Sequence, residues 1–169
     1  MKKLYDALIE YGKADYVPLH MPGHKRALME FENPYSFDIT EIDGFDNLHH
    51  AEGIIKDAER FAATVCQSDE THFLVNGSSC GILSAIFSAT KQGGELIMAR
   101  NCHKAVYHAA EMRELKTHYI YPEMLPEGIL GGISVEMVEE AIEKYPEAKT
   151  LILTSPTYEG RISDIEGIC

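Results

Sequence analysis

The chain has 169 residues, 45% of them hydrophobic and 25% charged, which suits one soluble globular domain with a real core. Its formal net charge of −12 disfavours nucleic acid and anionic membranes as partners and reads chiefly as a solvated face. The four cysteines, Cys66, Cys80, Cys102 and Cys169, lack paired metal-ligand spacing, so reduced thiols in a cytoplasmic protein are expected, and no metal.

Neither a signal peptide nor a membrane-spanning run is expected. Lys3 to Tyr11 is predicted as a short amphipathic helix with Leu4, Leu8 and Ile9 on one face. Tyr16 to Tyr35 reads as irregular and holds His20, His24, Lys25 and Arg26; Asp38 to His50 reads as a second polar loop. Two long loops before the first strand are unusual in a compact domain, which points to function or to a partner. Glu52 to Val65 is predicted helical, with Ile55, Ala58, Phe61, Ala62 and Val65 inward.

The organising stretch is Thr71 to Gly81. Phe73-Leu74-Val75 is an apolar run of strand length, Asn76-Gly77 is a turn dipeptide, and Ser78 or Ser79 can cap a helix carrying Ile82, Leu83, Ile86 and Phe87. A strand that delivers a Gly/Ser turn to a helix N-terminus builds an anion site, because free N–H groups and the helix dipole face outward. A phosphate monoester is the natural ligand. An ordinary capped helix is the competing interpretation, and this stretch alone does not separate them.

Gly93-Gly94 is expected to end that helix. Further strands are predicted at Glu95–Ala99, Thr117–Tyr121 and Thr150–Thr154. Helices are predicted at Lys104–Glu114, from a Ser134 cap to Tyr145, and from Ser163-Asp164 onward. The alternation gives an α/β protein with a mainly parallel sheet, whose ligands sit at the C-terminal ends of strands. Three polar clusters fall at such ends: Asn76–Gly81, Arg100–Lys104 and Ser155–Gly160.

Five segments then carry a resemblance: Pro22-Gly23-His24-Lys25, Asp38-Ile39-Thr40-Glu41, Phe73 to Ser79, Arg100-Asn101-Cys102-His103-Lys104, and Thr154-Ser155-Pro156-Thr157-Tyr158-Glu159-Gly160. In this order they resemble the N-terminal part of the major domain of the ornithine/lysine/arginine decarboxylases, pyridoxal-phosphate enzymes with the aminotransferase-like fold. The resemblance implies a three-layer α/β/α arrangement, an incomplete form of that major domain. It also implies a division into residues 1–50, helix and loops at the access region or a subunit contact, and 51–169, the truncated cofactor-binding part.

By the same resemblance, Gly77, Ser78, Ser79 and the Cys80 backbone hold the cofactor phosphate, His103 stacks on its ring, and Thr157 and Tyr158 lie beside it. The resemblance assigns the Schiff-base lysine to a Ser-x-His-Lys segment, and no such segment occurs in these residues; Lys104 and Lys25 sit in other motifs. No catalytic residue is therefore expected in the chain, and weak or absent cofactor binding and no activity by itself are expected. Cys80 stands where a hydroxyl is common, Ala105 where Ser is common, and His50 where Pro is common. The resemblance also places later strands between earlier ones, so self-association through open edges at Glu95–Ala99 and Thr150–Thr154 is expected. The competing interpretations are a non-catalytic module for a phosphorylated ligand and a fragment of another aminotransferase-fold enzyme.

Overall fold

The computed structural model describes residues 4–15 and 39–169, and the chain divides into two compact units, Met1–Phe61 and Ala62–Cys169. The expectations for Tyr16–Tyr35, for Pro22-Gly23-His24-Lys25 and for Asp38 fall outside the described residues.

In the first unit, α1 spans Leu4–Lys13. A loop from Ile39 leads through a 3-10 turn at Leu48–His50 into α2, Ile54–Cys66, the last residues of which belong to the second unit. One carboxylate organises this junction. Asp46 Oδ1 accepts from the N–H groups of Asn47 at 2.9 Å and Glu52 at 3.0 Å. Its Oδ2 accepts from Gly53 at 2.8 Å, Ile55 at 3.1 Å and Lys56 at 3.4 Å. The donors include N–H groups that α2 leaves without an intrahelical acceptor, so Asp46 caps the helix from outside its own sequence neighbourhood.

These N–H groups, Glu52 first, hold the Asp46 carboxyl well below the usual carboxylate range. Because the folded value is the lower one, the stabilisation is fully present above the unfolded value, about pH 4, and is lost as the pH falls through the folded value. Asp46→Asn is therefore expected to lower the urea midpoint at pH 7, with the gap to the parent chain closing on acidification. A gap that is unchanged between pH 7 and pH 2 would contradict this.

The inward face of α2 differs from expectation. Ile55 and Ala62 are half-buried, and Glu59 and Ala63 are buried, with Lys56 Nζ 3.4 Å from Glu59 Oε2. Phe61 and Val65 are 72% and 65% exposed, and Ala58 is exposed as well. Ile54, Ala58, Phe61 and Val65 form a second apolar stripe at helical spacing, and hydropathy alone does not say which stripe is covered.

In the second unit, the expected strand at Phe73–Val75 does not form. The segment is irregular, and its three side chains are 47%, 50% and 70% exposed. A strand exists only through its ladder, and no described strand pairs with this run. Leu74 instead lies against the next helix, where a Cβ on Gly81 would meet Leu74 Cδ1 at 2.9 Å.

That helix, α3, runs Gly77–Ala89 and buries Ile86 completely. It ends with Thr90 as its C-cap, close to the expected end, and the Thr90 hydroxyl donates to Ile86 O at 2.6 Å. Gly93, at φ +69°, then turns the chain into the sheet.

The sheet has three parallel strands in the order β2-β1-β3: β1 at Glu95–Ala99, β2 at Lys116–Ile120 and β3 at Leu151–Ile152. β1 is central, and Leu96, Ile97, Met98 and Ala99 are at most 1% exposed, as an apolar run inside a parallel sheet requires. Glu95–Ala99 is thus paired on both sides and is no open edge, which corrects the expectation. Of the two edges expected to drive self-association, only the Thr150–Thr154 segment lies at an edge, as β3.

Helices α4 (Lys104–Met112) and α5 (Val135–Lys144) bear on successive residues of β2. Tyr119 stacks near Tyr107 of α4, with ring centroids 6.3 Å apart. His118 stacks on Tyr145, the residue that caps the end of α5, at 3.7 Å. Successive strand residues point to opposite faces, so the two helices cover opposite sides of the sheet, and this unit is α/β. His118 Nε2 also lies 2.6 Å from Glu95 Oε2, and Lys116 Nζ 3.0 Å from Glu95 Oε1. Both partners, His118 first, hold the Glu95 carboxyl below its ordinary value. Among the described residues, no helix is long and apolar enough to cross a membrane.

Candidate functional site

The N-terminus of α3 is open. Asn76 occupies the N-cap position but makes no side-chain capping bond, and no acidic residue lies in the first turn. Gly77 takes φ +68°, where a Cβ would be strained, so the turn after Val75 depends on this glycine. Gly77, Ser78 and Ser79 are exposed, while Cys80 is half-buried. The first N–H groups of the helix, two hydroxyls and the positive end of the dipole thus share one turn that no carboxylate among the described residues satisfies. That is the donor set a phosphate monoester requires.

Further along the same helix, Ile82, Ala85 and Ile86 form one wall of a cavity of about 400 Å³. His103 and Val106 come from the start of α4, and Ile152 to Ser155 from the C-terminal end of β3. The volume falls within the range of small-molecule pockets, roughly 300–1,000 Å³. The lining is mainly apolar, with His103, Thr154 and Ser155 as its polar members, which suits a flat heterocycle.

His103 is held at the margin of this cavity by its own capping role. It is the N-cap of α4, and its Nδ1 accepts from Ala105 N–H at 3.2 Å, so the neutral ring carries its proton on Nε2. The preceding residue anchors the turn. Cys102 is buried, and its thiol points to Ile152 O at 3.6 Å, tying the end of β1 to β3. Burial pushes the Cys102 thiol up, so it remains a neutral structural group. Lys104 is the exposed first residue of α4.

The structure brings Gly77, Ser78, Ser79 and Cys80 together on one turn and sets His103 beside Thr154 and Ser155. It does not place Thr157 in the cavity wall. Thr157 is buried in a turn of its own: its N–H donates to Arg161 O at 2.8 Å, its carbonyl accepts from Gly160 at 2.9 Å, and its Oγ1 accepts from Arg161 N–H at 3.2 Å. Tyr158 projects fully into solvent. Sequence reasoning did not single out Thr154 as a wall residue, nor Ser163 beyond a helix start. The available signal was their position at or after a strand end.

Residues 2–169 match the model of the family described as "Orn/Lys/Arg decarboxylase, major domain". The uncharacterised protein YaaO of Bacillus subtilis is 36% identical, over 98% of this chain and 36% of its own length. An arginine decarboxylase of Bacillus cereus is 34% identical over 98% of this chain and 38% of its own. The chain therefore spans little more than a third of these relatives. The structure of the Escherichia coli constitutive lysine decarboxylase superposes with a TM-score of 0.62 over 91% of this chain and 25% of that one, at 24% identity, which supports the fold. The chain belongs to the ornithine/lysine/arginine decarboxylase family, and residues 2–169 lie within that family's major domain.

Proposed function

We propose that these residues are the phosphate clamp and ring-binding face of a pyridoxal-phosphate-dependent decarboxylase acting on ornithine, lysine or arginine in the cytoplasm. One observation carries the reading: the same helix presents an uncapped N-terminal turn and, one turn later, a wall of the cavity bordered by His103. The amides of Gly77 to Cys80 and the hydroxyls of Ser78 and Ser79 bind the phosphate. His103, fixed by its bond to Ala105 N–H, covers one face of the ring. Thr157 shapes the turn beyond Ser155 and supports the same side of the site. When bound, the cofactor supplies an electron sink for loss of the substrate's α-carboxylate as carbon dioxide. The apolar side chains of Ile82, Ile86 and Ile152 exclude water from that region.

Pyridoxine 5′-phosphate, which lacks the aldehyde and forms no bond to lysine, is the probe. The chain is expected to bind it, and the Ser78→Ala/Ser79→Ala double variant at least about tenfold more weakly, since hydrogen bonds to a charged group contribute about 1.5–3 kcal/mol each. Equal affinity of both proteins in calorimetry would overturn the clamp.

A further inference from the structure

We infer that Ser163 is a positioning residue for the ring-binding wall, an inference that rests on the cofactor-site reading above. β3 has only two residues, so the ladder does little to place the stretch that follows it, Leu153 to Ser155, along the cavity. Ser163 supplies the missing restraint. It is buried, and its Oγ accepts from Ile133 N–H at 2.9 Å. Its own N–H donates to Ser155 Oγ at 3.1 Å. A continuous tie thus runs from Ile133, next to the Ser134 cap of α5, through Ser163 to the cavity wall at Ser155.

The junction is close-packed: a Cβ on Gly132 would lie 3.0 Å from Ile162 O and 3.2 Å from Ser163 Oγ. Between the two ends of the tie, the Thr157–Arg161 turn is closed by its own hydrogen bonds, so displacement at Ser163 is passed on to Ser155. Ser163→Ala leaves the buried Ile133 N–H without its acceptor, and the junction opens. Ser163 does not itself line the cavity and acts through Ser155. The phosphate turn of α3 lies outside this tie.

The test uses the full chain and two probes, pyridoxine 5′-phosphate and inorganic phosphate. Ser163→Ala is expected to weaken pyridoxine 5′-phosphate about three- to thirtyfold, with phosphate affinity unchanged within a factor of two. Gly132→Ala disturbs the same junction with the hydroxyl intact and is expected to act in the same direction, so the test stands if one variant fails to fold. Amide exchange in Ser163→Ala is expected to lose protection at Ile133 and to keep it at Thr157 and Arg161 of the closed turn and at Ile97 and Met98 of the sheet. Unchanged pyridoxine 5′-phosphate affinity in the folded variants overturns the positioning role, and so does equal weakening of both probes. If the parent chain binds neither probe, the cofactor-site reading falls and this inference with it.

Discussion

Replacing Ile97 by Ala is expected to destabilise the chain by about 2–5 kcal/mol, the range for truncating a buried isoleucine. Ile97 is 1% exposed in the middle of the central strand, in register with His118 on one side and Leu151 on the other. It belongs to the cluster that joins Ile86 of α3, Val106 of α4 and Val138 of α5. With helices on both faces there is little room to collapse into the space left behind, so transfer and cavity contributions both count. A domain of this kind holds only about 5–15 kcal/mol in total, so the loss is a large share. Urea unfolding at pH 7 reads it directly. Val65→Ala, at a position 65% exposed, is the control and is expected to stay within about 0.5 kcal/mol. Comparable losses at the two positions would mean that the core is not where the structure puts it.

The second large effect concerns chemistry. The 169-residue chain with added pyridoxal phosphate is expected to release no carbon dioxide from arginine, lysine or ornithine above its Ser78→Ala/Ser79→Ala variant. The reason is chemical: decarboxylation needs a lysine to carry the cofactor and an acid to keep its ring nitrogen protonated. By resemblance that lysine belongs to a Ser-x-His-Lys segment, which does not occur in these residues. Lys104 does not replace it, being an exposed residue in the first turn of α4. Borohydride reduction followed by peptide mapping is a second readout, and stoichiometric labelling of Lys104 would contradict the assignment, as would substrate-dependent carbon dioxide release.

What could be read from the sequence was what local pattern determines. β1 is four apolar residues behind Glu95, and Ser134 heads an amphipathic stretch, so both were placed nearly to the residue. The glycine turn into α3 was equally legible, because a glycine, two serines and a helical period lie within a dozen residues. What failed depended on partners distant in sequence. Phe73–Val75 has strand composition, yet no described strand pairs with it. Glu95–Ala99 looked like an edge because the order β2-β1-β3 is not written in any one segment. Two apolar stripes on α2 were equally plausible as the inner face until burial separated Ile55 from Phe61. The Glu95–His118–Tyr145 cluster and the tie through Ser163 join residues separated by 8 to 30 positions, so no motif announces them. Ser163-Asp164 reads as the start of a helix, and Asp164 is indeed the N-cap of α6 (Ile165–Ile168), its side chain accepting from Gly167 N–H at 3.0 Å, while the inward turn of Ser163 is set by Ile133.

In the proposed site one turn of α3 clamps a phosphate while His103 faces the attached ring. Amide and imidazole NMR shifts of the chain, followed during titration with pyridoxine 5′-phosphate, test it most directly. The largest shifts are expected on the amides of Gly77, Ser78, Ser79 and Cys80, with the His103 ring signals moving in the same titration, and inorganic phosphate is expected to reproduce the first set without the second. Saturable shifts clustered elsewhere, with Gly77 to Cys80 unmoved, would contradict it.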